Sequence, residues 1–167
     1  MRRGSLLLLL FAISLPGLAQ PGSEQERNKA VARSFFEEVL SQGQLEKYGE
    51  FHSKDFVAHA GDRTGTLEED LAYAREERKA LPDMTFKVNR TVAEKDLVAV
   101  HWTVSGTNTK AGMGFPATGK KIASDGMTIF RFKDGKICEE WGVFDMLTVM
   151  RQAGLLPPQT GLLSPQK

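Results

Sequence analysis

The chain has 167 residues, of which 41% are hydrophobic and 26% are charged, values typical of one globular domain. Twenty-two Lys and Arg residues against 21 Asp and Glu residues leave a formal charge of +1, so no overall basic field attracts nucleic acid or anionic membrane. The single cysteine, Cys138, excludes an internal disulfide and a metal site built from cysteines. We expect Cys138 to lie in the core of the domain.

The first 19 residues have the pattern of a secretory signal peptide. Arg2 and Arg3 precede an apolar run over residues 6–15, and small residues end the segment at Ala19. The apolar run is shorter than the ~20 residues of a membrane-spanning helix, which favours a cleaved signal over a permanent anchor. The sequence therefore predicts cleavage after Ala19 and a secreted or periplasmic protein without stable membrane insertion.

The rest of the chain predicts one domain over residues 20–156 and a flexible, Pro- and Gly-containing tail over 157–167. Helices come first in this domain. Capping-box patterns begin at Ser23 and Thr66, each followed by apolar residues at helical spacing. The predicted helices cover residues 24–41, 45–51, 67–81 and, near the end of the domain, 146–153.

After Pro82 the apolar period changes from helical to two, which indicates strands. Asp134 and Gly135 are typical of a tight type I′ hairpin turn, and residues 108–121 read as a long connection rich in glycine. The predicted strands cover residues 84–88, 97–104, 126–132 and 136–144. Helices followed by strands predict an α+β domain in which a curved antiparallel sheet wraps around the N-terminal helices.

Six short segments then occur in an order that spans nearly the whole domain. They are DFVAH at 55–59, LPD at 81–83, VHWT at 100–103 with GT at 106–107, GFPATGK at 114–120, FRFKDGKI at 130–137, and EW at 140–141 with Asp145. This ordered set resembles the SnoaL-like polyketide cyclase, or ester cyclase, family of the nuclear-transport-factor-two-like superfamily. Asn108 and Ala117 depart from it, since His and a second Pro are common there.

The resemblance implies a cone-shaped fold that encloses one apolar pocket and a homodimer formed through the sheet. It also implies an intramolecular aldol closure, or an isomerisation, of a small apolar carbonyl compound. In that reaction an acid/base residue removes a proton from carbon and returns one to the developing alkoxide. Neither a metal nor an organic cofactor is required for it.

Asp145 resembles the family's acid/base aspartate by its place after the last tryptophan. It ends the last predicted strand and shares strand parity with Ile137, Trp141 and Val143, apolar company that would raise its pKa. The alternative is that Asp145 caps the helix that follows, a contribution of ~1 kcal/mol to stability. The sequence leaves both interpretations open.

His59 follows an apolar pair and is the second catalytic candidate, as a group that assists proton transfer. His101 alternates with Trp102, so the two face opposite sides of a strand, and His52 has no strong pattern around it. Strand-spaced aromatic residues and Met are also typical of a plain core. The candidate pocket residues are Trp102, Trp141, Phe86, Met127, Phe130 and His101.

The three histidines lack the spacing of a metal site, so the sequence predicts no bound metal. The expected partner is a small apolar compound that contains a carbonyl group, and the balanced charge argues against nucleic acid. Because one fold hosts enzymes and binders alike, an exported ligand-binding module without catalysis is the alternative function.

Overall fold

A computed structural model describes residues 22–158. The predicted signal peptide and nearly all of the predicted C-terminal tail lie outside these described residues. Within residues 22–158, no helix is long and apolar enough to cross a membrane.

The helices begin where the capping patterns predict. Thr66 forms a complete capping box with Glu69, and the Ser23 hydroxyl accepts a hydrogen bond from the backbone N–H of Glu26. The first helix continues as a π-helical segment over Phe35–Leu40, and a 3-10 turn covers Leu45–Lys47. The α-helices are α1 (Glu24–Ser34), α2 (Tyr48–Phe51), α3 (Leu67–Ala80) and α4 (Met146–Gln152).

The strands are β1 (His52–Ala60), β2 (Arg63–Thr66), β3 (Thr85–Glu94), β4 (Leu97–Thr107), β5 (Lys121–Lys133) and β6 (Lys136–Phe144). They form one curved sheet in the order β2-β1-β6-β5-β4-β3. The predicted α+β class is confirmed. Four of the pairings are antiparallel, but β1 runs parallel to β6, so the sheet is mixed rather than purely antiparallel.

The connections follow the sequence predictions as well. Asp134 and Gly135 both have positive φ, at 53° and 75°, as a type I′ hairpin requires. Residues 108–120 form the expected long connection, which Asn108 holds together from a buried position. Its side-chain oxygen accepts hydrogen bonds from the backbone and the hydroxyl of Thr118, each at 2.9 Å.

The helices cover the inner, concave face of the sheet, where aromatic side chains fill the core. Trp102 lies against Gly126 of the neighbouring strand, and its indole N–H donates to the Thr128 hydroxyl at 3.0 Å. A Cβ atom at Gly126 would overlap the Trp102 ring. The glycine is therefore needed for close approach of the indole to the sheet.

A β-bulge in β6 interrupts the alternation of its side chains. Phe132 of β5 pairs with Ile137, whereas Arg131 pairs with Glu139, so Cys138 is the extra residue. Its thiol is half-buried and donates to the Arg131 carbonyl at 3.5 Å. The expectation that Cys138 belongs to the core is wrong, because the bulge takes this position out of the inner row.

Beyond the bulge, even-numbered residues of β6 face inward and odd-numbered residues face outward, the reverse of the pattern that Ile137 begins. Ile137 is buried on the inner face, and Glu140 returns to that face opposite Phe130 and Ala58. Trp141 pairs with the exposed Ile129 and so faces outward. The common parity that the sequence suggested for Ile137 and Trp141 does not hold, because one inserted residue reverses it.

We expect Gly126→Ala to lower the free energy of unfolding by about 1–3 kcal/mol, since the new methyl group displaces Trp102. Urea denaturation followed by tryptophan fluorescence measures this change. Gly142→Ala is the matched control, because a Cβ there meets only the Thr128 hydroxyl, at 3.9 Å. Equal losses in the two variants would contradict the role of Gly126.

Candidate functional site

The structure does not bring the predicted site residues together in one pocket. Trp102, Phe130 and the half-buried Phe86 belong to the packed core. Trp102 is 7% exposed and Phe130 is fully buried. For these three residues the structure supports the alternative of plain core packing.

His59 and Trp141 lie side by side on the outer face of the sheet. Their rings stack at 4.9 Å with an interplanar angle of 2°, and Arg131 lies over the same indole at 5.2 Å. Glu139 joins them, since it contacts the His59 ring nitrogen Nε2 at 2.9 Å and accepts from Arg131 at 2.6 Å. These residues form a surface network outside the cone.

Three other predicted residues, His101, Met127 and Asp145, line a groove with a volume of about 620 Å³. His101 and Met127 are paired across β4 and β5 on the outer face, and Met127 is 58% exposed. Val92 and Val143 add exposed apolar surface to the groove. The homodimer through the sheet, which would cover this surface, stays a prediction.

Asp145 is the N-cap of α4. Its carboxylate accepts from the backbone N–H of Thr148 at 3.0 Å and from the Thr148 hydroxyl at 2.6 Å. These hydrogen bonds favour the ionised form and hold the pKa of Asp145 below its usual value. The expectation of a raised pKa is wrong, because the carboxylate lies at an exposed helix start instead of an apolar pocket.

The inner side of the sheet holds a different set of titratable groups, which we call the interior acid cluster. It consists of the buried His52 and the half-buried Asp70, Glu77 and Glu140. His52 is the first residue of β1, and Glu140 comes from β6 just after the bulge. Asp70 and Glu77 are two turns apart on α3, so they lie on one side of that helix. The parallel pairing of β1 with β6 brings these elements together.

Hydrogen bonds and stacking fix one end of the cluster. The His52 ring stacks on the Tyr48 ring at 4.7 Å, and its Nδ1 donates to the Tyr48 carbonyl at 2.8 Å. The Tyr48 hydroxyl donates to the Asp70 carboxylate. One ligand atom each from His52, Asp70 and Glu140 lies within 4.8 Å of the others.

Burial and mutual repulsion shift the acids of this cluster toward neutrality. Loss of solvent, together with the charges of Asp70 and Glu77, raises the pKa of Glu140 to about 8. Burial and the charge of Asp70 raise the pKa of Glu77 to about 7, and burial also raises the pKa of Asp70. Burial lowers the pKa of His52 to about 4, so its imidazole is neutral at pH 7.

Little in the sequence indicates this cluster. Asp70 lies in the first turn of α3, where acids are common because they interact favourably with the helix dipole. Glu140 adjoins Glu139, and Glu139 is the glutamate that pairs with Arg131. No local pattern could place His52 beside Glu140, because their contact depends on strand order and on the bulge.

We expect Asp145→Ala to lower the midpoint of thermal unfolding by a few degrees through loss of the helix cap. Asp145→Asn should retain most of the stability, since an amide oxygen still accepts from Thr148. Thermal unfolding of the two variants beside the wild type tests this. Wild-type stability of Asp145→Ala would argue against the cap.

The stability of the folded chain should depend on pH. The pKa of Glu140 is about 8 in the folded chain against 4.5 for an ordinary Glu, so the folded state holds the extra proton. The proton on Glu140 therefore contributes to the free energy of unfolding at low pH, and this contribution is lost as the pH rises toward 8. The lowered pKa of His52 makes the free energy of unfolding rise with pH instead, but only below pH 6.5. The free energy of unfolding should therefore fall between pH 6.5 and 8.

Urea denaturation at the two pH values in metal-free buffer measures this fall. Glu140→Gln cannot ionise, so it should flatten the fall and be more stable than the wild type at pH 8. Glu76→Gln, an exposed neighbour on α3, should keep the wild-type slope. A wild-type stability that is constant or rises over this range would refute the prediction.

Comparisons with known proteins agree with the fold and with the sequence resemblance. The sequence model of the SnoaL-like polyketide cyclase family matches residues 30–153. A search of curated proteins finds no match. Among solved structures, AclR from Streptomyces galilaeus, a proposed hydroxylase, is 27% identical with a TM-score of 0.74. That match covers 80% of this chain and 100% of AclR.

IdmH from Streptomyces antibioticus, a proposed polyketide cyclase, is 29% identical with a TM-score of 0.67, over 76% of this chain and 98% of its own. A proposed polyketide cyclase from Acidithiobacillus ferrooxidans is 26% identical with a TM-score of 0.69, over 80% and 98% of the two chains. With most of the described domain matched by the family's sequence model, the chain belongs to the SnoaL-like polyketide cyclase family.

Proposed function

We propose that the protein catalyses proton transfer on a small apolar carbonyl compound, leading to intramolecular aldol closure or isomerisation. The observation that carries this proposal is the interior acid cluster, in which Glu77 and Glu140 have pKa values of about 7 and 8. Perturbed acids of this kind are typical of catalytic sites. Family membership and the likeness to IdmH support the same class of reaction.

The two pKa values suggest separate roles. At neutral pH Glu77 is close to half ionised, so it can accept a proton from carbon next to a carbonyl group. Glu140 is mostly protonated and can donate a proton to the oxygen that becomes negative. The carbanion carbon then bonds to a second carbonyl carbon of the same molecule, and no net proton is gained or lost.

Asp145 and His59 are less suited to these roles. Both Asp145 carboxylate oxygens are occupied by Thr148, and its lowered pKa makes it a weaker base. His59 lies on the outer face of the sheet, paired with Glu139 and stacked on Trp141. Proton transfer by Asp145 is therefore the competing assignment in the experiment.

The test is deuterium incorporation next to carbonyl groups. The protein is incubated in heavy water with a panel of β-keto esters and cyclic ketones, and mass spectrometry measures the exchange. The wild type should exchange faster than background, with a rate maximum between about pH 7 and 8, where Glu77 is ionised and Glu140 is protonated. Glu77→Gln and Glu140→Gln should each reduce the rate by at least about 100-fold.

Glu76→Gln is the matched control, since it removes an exposed carboxylate next to Glu77 on α3. It should retain the wild-type rate, as should Asp145→Asn. Loss of exchange in Asp145→Asn alone would move the base to the start of α4. No exchange by the wild type across the panel would overturn the enzymatic proposal and favour a binding module.

A further inference from the structure

One ring nitrogen of His52 has no hydrogen-bond partner among the described residues, although the side chain is only 2% exposed. The Tyr48 carbonyl can only accept, so Nδ1 carries the proton and Nε2 presents a lone pair. A buried acceptor without a partner lowers stability, which calls for an explanation.

The surroundings of this nitrogen point to a cation. One ligand atom each from His52, Asp70 and Glu140 lies within 4.8 Å of the others. Nδ1 donates to the Tyr48 carbonyl, so Nε2 is the nitrogen that the imidazole has left for a ligand. Phe35 and Phe56 hold the ring edge-on, and Tyr48 stacks on its face. The imidazole ring is thus held in place beside two acids.

We propose that His52, Asp70 and Glu140 form a binding site for a divalent first-row transition metal such as Zn²⁺ or Mn²⁺. One imidazole nitrogen with two carboxylates suits these ions, whereas Mg²⁺ and Ca²⁺ prefer all-oxygen sites. Bonds of about 2.0–2.2 Å place tetrahedral ligand atoms about 3.4 Å apart, so modest side-chain rotation from the observed spacing closes the site.

The groups behind these ligands have the arrangement that metal sites use. Metal-bound histidines commonly donate their other N–H to a backbone carbonyl, as His52 does to Tyr48. The Tyr48 hydroxyl orients Asp70 in the same way. Three protein ligands leave coordination positions for water or for an oxygen of a bound molecule.

This inference goes beyond the proposed function, because cation binding can be measured without any substrate. Glu140 cannot donate a proton while it binds a cation, so a bound metal should suppress the exchange reaction that the metal-free protein performs. Metal binding without exchange would leave this inference standing and remove the proposed function. Exchange without metal binding would overturn this inference and leave the proposed function standing.

The experiment is titration calorimetry of the chelator-treated full chain with ZnCl₂ and with MnCl₂. The wild type should bind one equivalent of at least one of the two ions. His52→Gln, Asp70→Asn and Glu140→Gln should each weaken that binding by at least about 100-fold. Circular dichroism confirms that each variant is folded, and the two acid-to-amide variants keep the test valid if His52→Gln does not fold.

His59→Gln is the matched control, since it also removes a histidine, one that contacts Glu139 on the outer face. It should bind the metal like the wild type. No binding by the wild type at millimolar metal would overturn the proposal. Binding that is lost in His59→Gln, or kept in all three ligand variants, would overturn it equally.

Discussion

The register of β6 against β5 shifts at Cys138, and the chemistry of both sheet faces depends on that shift. Without the extra residue, strict alternation from Ile137 would turn Glu139 and Trp141 toward the helices and Glu140 toward solvent. With it, Glu140 enters the interior and Glu139 joins the outer network with Arg131 and His59. A single inserted residue thus decides which of two adjacent glutamates faces the interior.

The interior position of Glu140 has an electrostatic consequence. Asp70 and Glu77 already face the interior from α3, so a third acid enters a region with little solvent and like charge. The protein can relieve that cost by holding protons, which raises the pKa of the acids, or by binding a cation. The proposed proton transfer and the proposed metal site are these two solutions in one cluster. His52, whose Nε2 has no partner within residues 22–158, favours the metal site.

The local elements were predictable because they rest on local physics. The capping box at Thr66, the helix cap at Ser23 and the Asp134–Gly135 turn act through neighbouring residues, and all appear where expected. β1 was missed because three polar residues at its start, 53–55, break the apolar alternation of a strand. Its parallel pairing with β6 was missed for the same reason, since an unrecognised strand has no partner.

The predicted order of helices before strands is wrong, because β1 and β2 precede α3, but the sequence by itself determined the family and the α+β class. These follow from ordered motifs and from apolar periodicity, which a single chain carries along its length. Only the tertiary structure decided that Asp145 caps a helix, that His59 lies outside the cone, and that His52 meets Asp70 and Glu140. The sequence had left the cap open beside the catalytic interpretation, whereas the positions of His59 and His52 depend on strand order and on one bulge, which relate residues far apart in sequence and leave no local pattern.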